Sequence, residues 1–197
     1  MLLLVRHGQS ELNAEGRLAG RLDVGLTDVG AAQAAAVADL VLARGRPERV
    51  ISSPLRRAQQ TAAALGLPVE IDDRWTELDY GTYDGRRIAD VPVSMWDAWR
   101  RDPDYAPGGG ESLLTLGRRV RQACAEIASR AGDGDTVVVS HVSPIKAAVA
   151  WALSTGDEVA WHLFLAPASL TGIAFGDRGA VVHFYNQTSH IEAALRP

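Results

Sequence analysis

A histidine flanked by a cation and a glycine, Arg6-His7-Gly8, follows directly on the apolar run Met1-Leu2-Leu3-Leu4-Val5. A buried strand ending there delivers His7 into the crevice that open α/β sheets form at the carboxyl ends of their strands, where ligands bind. His7 is therefore a candidate nucleophile, and Gly8 lets a ligand approach the backbone closely. The same kind of junction recurs twice. Arg49-Val50-Ile51-Ser52 runs into Ser53-Pro54-Leu55-Arg56-Arg57-Ala58, and Thr136-Val137-Val138-Val139-Ser140 runs into His141-Val142-Ser143-Pro144. Helix N-termini, with free amides and a positive dipole end, are natural anion sites. Two of them are expected to face the crevice of His7, beside an arginine pair and a second imidazole.

Short, near-continuous apolar runs alternating with helical patterns indicate a parallel sheet covered on both faces. The expected fold is α/β, a three-layer sandwich with a mainly parallel central sheet. Ser53-Pro54 and Ser143-Pro144 each read as an N-cap followed by the first helical residue, since serine accepts from orphan amides and proline has none to waste. Gly66 stops the first of these helices. Thr27 caps a helix over 28–43 ending near Gly45, with Val29, Ala36, Leu40 and Ala43 as its apolar stripe. A second long helix runs over 112–131. Residues 170–175 and 180–185 flank Gly176-Asp177-Arg178-Gly179 as a hairpin at the sheet edge. The stretch 75–110 breaks the pattern, mixing Tyr80, Tyr83, Trp96, Trp99 and Tyr105 with Pro103, Pro107 and three consecutive glycines. It reads as a lid-like insertion whose Trp96 and Trp99 lie on a short helix over the site. Packing of that helix onto the body accounts for the tryptophans equally well.

With 197 residues and 47% hydrophobic content, the chain reads as one domain over 1–197 that buries a full core without disulfides or metal. The lone Cys124 fits a small core residue in a reducing cytoplasm. The apolar start is too short to span a membrane and lacks the basic flank of an export signal. A formal net charge of -4 offers no broad attraction to nucleic acid or an anionic membrane, so an anionic ligand must be met locally. Lys146 is the only lysine among the basic residues. Arginine number therefore reflects compositional bias, and only arginine position argues for phosphate.

Several segments taken together carry a family resemblance. Leu4-Val5-Arg6-His7-Gly8-Gln9-Ser10 with Asn13, then Ser52-Ser53-Pro54-Leu55-Arg56-Arg57-Ala58 with Thr61, then Glu77-Leu78-Asp79-Tyr80-Gly81, and last Ser140-His141, resemble the histidine phosphatase superfamily in its phosphoglycerate-mutase-like branch. Gly20-Arg21-Leu22-Asp23, Leu26 to Gly30 and Pro107 to Ser112 are similar to the small phosphatases of that branch, and Val182 to Ser189 with Ser140 to Pro144 resemble its acid phosphatases and α-ribazole-phosphatase-like members. The resemblance implies a phosphomonoester hydrolase in which His7 attacks phosphorus and becomes a phosphohistidine that water hydrolyses. One ring nitrogen must then be bare, the other donating to a fixed acceptor such as a backbone carbonyl. Arg6 and Arg57 would stabilise the transferring phosphoryl group. Arg57 is preferred over Arg56 because the family's Leu-x-Arg-Ala pattern places the pocket arginine two after Leu55, and Arg56 would then point about 100° away around the helix. His141, Asn13, the amides of Gln9 and Ser10, and Val142 at the following helix start would bind phosphate. Glu77 would protonate the leaving alkoxide, with burial or the phosphate raising its pKa and favouring mildly acidic pH. Asp79 and Asp84 are rivals for that role, unless each belongs to a turn with its neighbouring glycine.

No cofactor and no metal is expected, and His162, His183 and His190 show no metal-site spacing. The expected partner is a small phosphorylated metabolite rather than nucleic acid or membrane, and the sequence leaves a homodimer open. A cofactor-dependent phosphoglycerate mutase is the first alternative. It is disfavoured by Leu78, which stands where those enzymes usually carry an arginine. A catalytically silent phosphate-ligand binder is the second, disfavoured by the presence of both nucleophile and acid. Pro167-Ala168-Ser169 lacks the asparagine that many relatives place before the serine, so no substrate contact is assigned to that loop.

Overall fold

Strand β1 (Leu2–Arg6) alternates its side chains between two cores, as a strand buried on both faces must. Leu2 and Leu4 join Ile51, Val138 and Ile173 on one face, whereas Leu3 and Val5 join Val50, Val137, Val139 and Leu170 on the other. The computed structural model describes residues 1–194 except Arg46, Ala131, Asp133, Asp177 and Arg178.

Six strands form one sheet: β1, β2 (Arg49–Ser52), β3 (Glu70–Ile71), β4 (Thr136–Ser140), β5 (Leu170–Gly176) and β6 (Gly179–Gln187), in the order β3-β2-β4-β1-β5-β6. The first four are mutually parallel, and β5 and β6 add an antiparallel hairpin at the edge beside β1. The tip of that hairpin, Asp177-Arg178, lies outside the described residues. The helices are α1 (Glu11–Ala14), α2 (Asp28–Leu42), α3 (Arg56–Ala63), α4 (Val93–Arg101), α5 (Leu113–Ser129), α6 (Val142–Ala152) and α7 (Ser189–Ala194). Helices α2 and α3 cover one face through Val37, Ala38, Val41, Ala58 and Ala62. Helices α4, α5 and α6 cover the other through Trp99, Leu116, Val120 and Ile145. Among the described residues, no helix is long and apolar enough to cross a membrane.

Two expectations need correction. Thr27 does cap α2, accepting from the Gly30 amide at 3.0 Å, but the buried stripe is Gly30, Gln33, Ala34, Val37, Ala38 and Val41. Val29 and Ala43 face solvent, and Ala36 and Leu40 are half-buried. The Ser-Pro pairs do not open their helices. Helix α3 starts at Arg56 after Leu55, and Ser143-Pro144 sits inside the first turn of α6, which His141 precedes as cap residue. His190 lies in α7 and bonds the Ala168 carbonyl through Nε2 at 2.9 Å. The aromatic stretch follows the sequence reading more closely. Trp96 and Trp99 lie on α4, where their rings stack 5.9 Å apart, and Trp99 is buried in the core.

Candidate active site

The strand ladder itself places His7. Its amide donates to the Ser140 carbonyl on β4 at 3.0 Å, and its carbonyl accepts from Ala168 at 3.1 Å, so the residue is held from both sides just past β1. Ser53 is fixed in the same way, its amide reaching the Val139 carbonyl at 3.0 Å. The parallel register aligns Arg6 with Ser140, and so the three junctions end at one level.

The His7 ring is 3% exposed. Its Nδ1 lies 2.7 Å from the Gly8 carbonyl, which can only accept, so Nδ1 carries the proton and Nε2 is bare. Arg57 Nε donates to that Nε2 at 3.2 Å. Arg57 is fully buried, and its two terminal nitrogens are held by the carbonyls of Leu22 and Gly20, each at 2.7 Å. One turn further along α3, Thr61 accepts from the Gly8 amide at 3.1 Å and donates to the Arg57 carbonyl at 2.8 Å. Burial and the two guanidinium groups of Arg57 and Arg6 push the His7 pKa well below its ordinary value. Arg6 reaches the Leu165 carbonyl at 2.6 Å, and its pKa is lowered by burial to about 10.

His141 is buried 5.0 Å from His7 between ring centroids. Its Nε2 meets the Ser53 hydroxyl at 2.7 Å, and its buried Nδ1 has no partner among the described residues, as is also true of Arg6 Nε. Burial, then Arg57, His7 and Arg6, hold its pKa well down. Glu77 is also buried, its Oε1 accepting from Leu78 at 2.8 Å and from the Ser143 amide in the first turn of α6 at 3.2 Å. The segment carrying Glu77 is tied down at two further points. Ser140 donates its hydroxyl to the Trp75 carbonyl at 2.6 Å, and Arg119 reaches the carbonyls of Arg74 and Glu77 at 2.6 and 3.4 Å. Arg119 is in turn clamped by Glu111 through bonds of 2.8 and 2.7 Å, and Arg21 meets the same carboxylate at 3.3 Å.

The structure thus brings Arg6, His7, Arg57, Glu77 and His141 together in one buried cluster at the sheet end and leaves Arg56 exposed. The expected phosphate contacts from Gln9 and Ser10 do not fit: their amides already donate to the side chains of Gln33 at 2.8 Å and Asn13 at 3.3 Å. Asn13 spends its carbonyl oxygen in that capping box, which leaves only its NH2 group to reach outward. Asp79 accepts from Gly81 in a local turn, and Asp84 ties Tyr80 to Arg21 through their amides, which gives both rivals of Glu77 structural work. Sequence reasoning missed Ser53 as the partner of His141, and missed the cluster of Arg21, Glu111 and Arg119. Among the described residues no group of three His, Cys, Asp or Glu side chains is arranged to hold a metal ion.

Gly8 and Gly30 lie against each other beside the nucleophile. A Cβ on Gly8 would strike the Gly30 carbonyl, and one on Gly30 would strike the carbonyl of Gln9.

Comparison with known proteins assigns the chain to a family. A family model for the histidine phosphatase superfamily (branch 1) matches residues 2–188. The bifunctional protein Rv2228c of Mycobacterium tuberculosis is 38% identical over 198 residues, covering 96% of this chain but 54% of that protein, so the chain spans about half the length of that relative. Phosphoserine phosphatase 1 of Hydrogenobacter thermophilus is 33% identical over 198 residues, covering 96% of this chain and 93% of its own. The structure of a mycobacterial glucosyl-3-phosphoglycerate phosphatase complexed with VO3 superposes with a TM-score of 0.84 at 33% identity, covering 95% of this chain and 98% of that one.

Proposed function

Because the chain belongs to branch 1 of the histidine phosphatase superfamily, we propose that it hydrolyses the phosphomonoester of a small metabolite through a phosphohistidine on His7. The observation that carries this reading is the bare Nε2 of His7, fixed by the Nδ1 bond to Gly8 and met by a buried arginine. In the first step Arg57 Nε gives up its bond to Nε2 for a phosphoryl oxygen, and an Nε2–P bond forms as the ester P–O bond breaks, with Arg6, Arg57 and His141 around the three equatorial oxygens. Arg6, at a pKa of about 10, stays cationic at neutral pH. The unpartnered Arg6 Nε and His141 Nδ1 suit those oxygens, since a buried polar atom needs a partner. Glu77 gives its proton to the departing alkoxide. In the second step its carboxylate takes a proton from the attacking water, the N–P bond breaks and orthophosphate leaves. The Asn13 NH2 group and the Val142 amide at the start of α6 add donors at the rim.

The guanidinium groups supply the positive charge that other phosphatases draw from metal ions, so the proposal includes metal independence. Leu78 is fully buried and presents nothing to a second phosphate, which favours hydrolysis over mutase chemistry. The reading is that of a single catalytic domain in the cytoplasm with residues 75–110 flanking the substrate, acting as a monomer or homodimer. Rapid-quench labelling with a 32P-ester tests it. The expected result is acid-labile label on the wild type, none on His7→Ala, and turnover of an aryl phosphate that EDTA does not reduce. Chelator-sensitive turnover without label would sink the proposal.

A further inference from the structure

A cavity of about 160 Å³ adjoins the crevice, walled by Tyr80, Trp96, Trp99 and Trp161 together with Ser143 and Lys146. The Ser143 amide also holds the Glu77 carboxylate, so the cavity begins beside the oxygen that Glu77 would protonate. The alcohol half of the ester must extend from that oxygen. The wall is a packed aromatic box. Trp99 meets Trp161 edge-on at 4.8 Å and Tyr80 edge-on at 5.7 Å, while stacking on Trp96. A volume of this size holds one benzene-sized ring.

Lys146, the chain's single lysine, is half-buried in this wall and donates one of its three N–H groups to the Ala160 carbonyl at 2.9 Å. Among the described residues no aspartate or glutamate lines the cavity. An ammonium group would face the like charge of Lys146, the Glu77 carboxylate lying beside the cavity and not in its wall, and a polyol would find few hydrogen-bonding groups. A flat apolar ring would find aromatic faces, and an anionic substituent on it would find Lys146.

We propose that this cavity is the leaving-group pocket, built for the phosphate ester of an alcohol that carries a flat apolar ring with a carboxylate-like substituent, and that Lys146 is its specificity-determining residue. The proposal rests on the hydrolase reading above. It is tested by kcat/KM for benzyl phosphate, 3- and 4-carboxybenzyl phosphate, glycerol 1-phosphate and O-phosphoserine. The ring esters should exceed glycerol phosphate and phosphoserine by about tenfold or more, the range that apolar pocket contacts supply. One carboxylated ester should exceed plain benzyl phosphate, and Lys146→Met, which keeps the apolar stem, should erase that carboxylate preference. Trp96→Leu and Trp161→Leu, both at half-buried positions, should shrink the preference for rings over glycerol phosphate. Similar turnover of all five esters, or a carboxylate preference that survives Lys146→Met, overturns the pocket assignment while leaving the hydrolase standing. Turnover of none overturns both.

Discussion

At the carboxyl ends of β1, β2 and β4, His7, Ser53 and His141 each lie within two residues of a ladder hydrogen bond. Between Trp75 and Gly110, by contrast, the backbone passes through three short 3-10 turns and the nine-residue α4. Ladder hydrogen bonds fix the first region, whereas local turns, main-chain bonds to residues 16–18 and packing among tryptophans and tyrosines fix the second. The difference separates two jobs. On the proposed reading, groups on the sheet end meet the part common to every phosphate ester, whereas groups on the aromatic stretch meet the part that differs.

Breaking the first region should therefore hurt all esters alike. Arg57→Ala is expected to lower kcat/KM by about 10²- to 10³-fold, the cost of losing one preorganised donor to a charged transition state. The loss should be equal on p-nitrophenyl phosphate and on an alkyl phosphate, and a strongly ester-dependent loss would contradict the division. Glu77 stands on the boundary, rooted in the irregular stretch but bonded to α6. Glu77→Gln should cost an alkyl ester about 10²-fold and an aryl ester, whose leaving group needs little protonation, distinctly less. Equal losses on both would remove it as the acid.

The crevice histidines should also be visible in stability. Both are held neutral by burial and by the arginines, with pKa values well below 6.5 in the folded chain. The unfolded chain takes up those protons from about pH 6.5 downward, so it binds more protons than the native state. Their contribution to stability is present above that pH and is lost as pH falls, by up to about 1.4 kcal/mol per pH unit for each histidine. Urea unfolding at pH 7.5, 6 and 5 should show this decline, and His141→Asn should flatten it. An unchanged slope would mean that the buried imidazole is not neutral. The smallest effect belongs to Arg56→Ala, one residue from the critical guanidinium but exposed: kcat/KM should stay within about twofold.

The same contrast sets what the sequence could reveal. β2 and β4 were legible to the residue, because a run such as Val137-Val138-Val139 between polar ends has no other reading in an α/β chain. The placement of His7 and His141 was legible because strand ends deliver them, and that of Arg57 because the family pattern sets it two residues after Leu55 on α3. The helix starts were misread because the pairing of serine with proline looked like capping, whereas Ser53 spends its hydroxyl on His141 and on the Leu55 amide. The α2 stripe was misplaced because its contact with the loop is made by Gly30, a residue with no apolar signal. Bonds spanning the chain had no local trace: Arg21 and Glu111 are 90 positions apart, and Arg119 meets Glu77 from 42 away. The role of Gln9 and Ser10 failed for the same reason, since Gln33 claims an amide that looked available.

The contact between Gly8 and Gly30 carries a consequence for descent. Two main chains meet there with no room for even a methyl group, so neither position can drift alone without forcing the imidazole-bearing loop away from its neighbouring helix. On the proposed reading a new alcohol asks only for replacements among the tryptophans, whereas a side chain at either glycine of this seam would move the nucleophile itself.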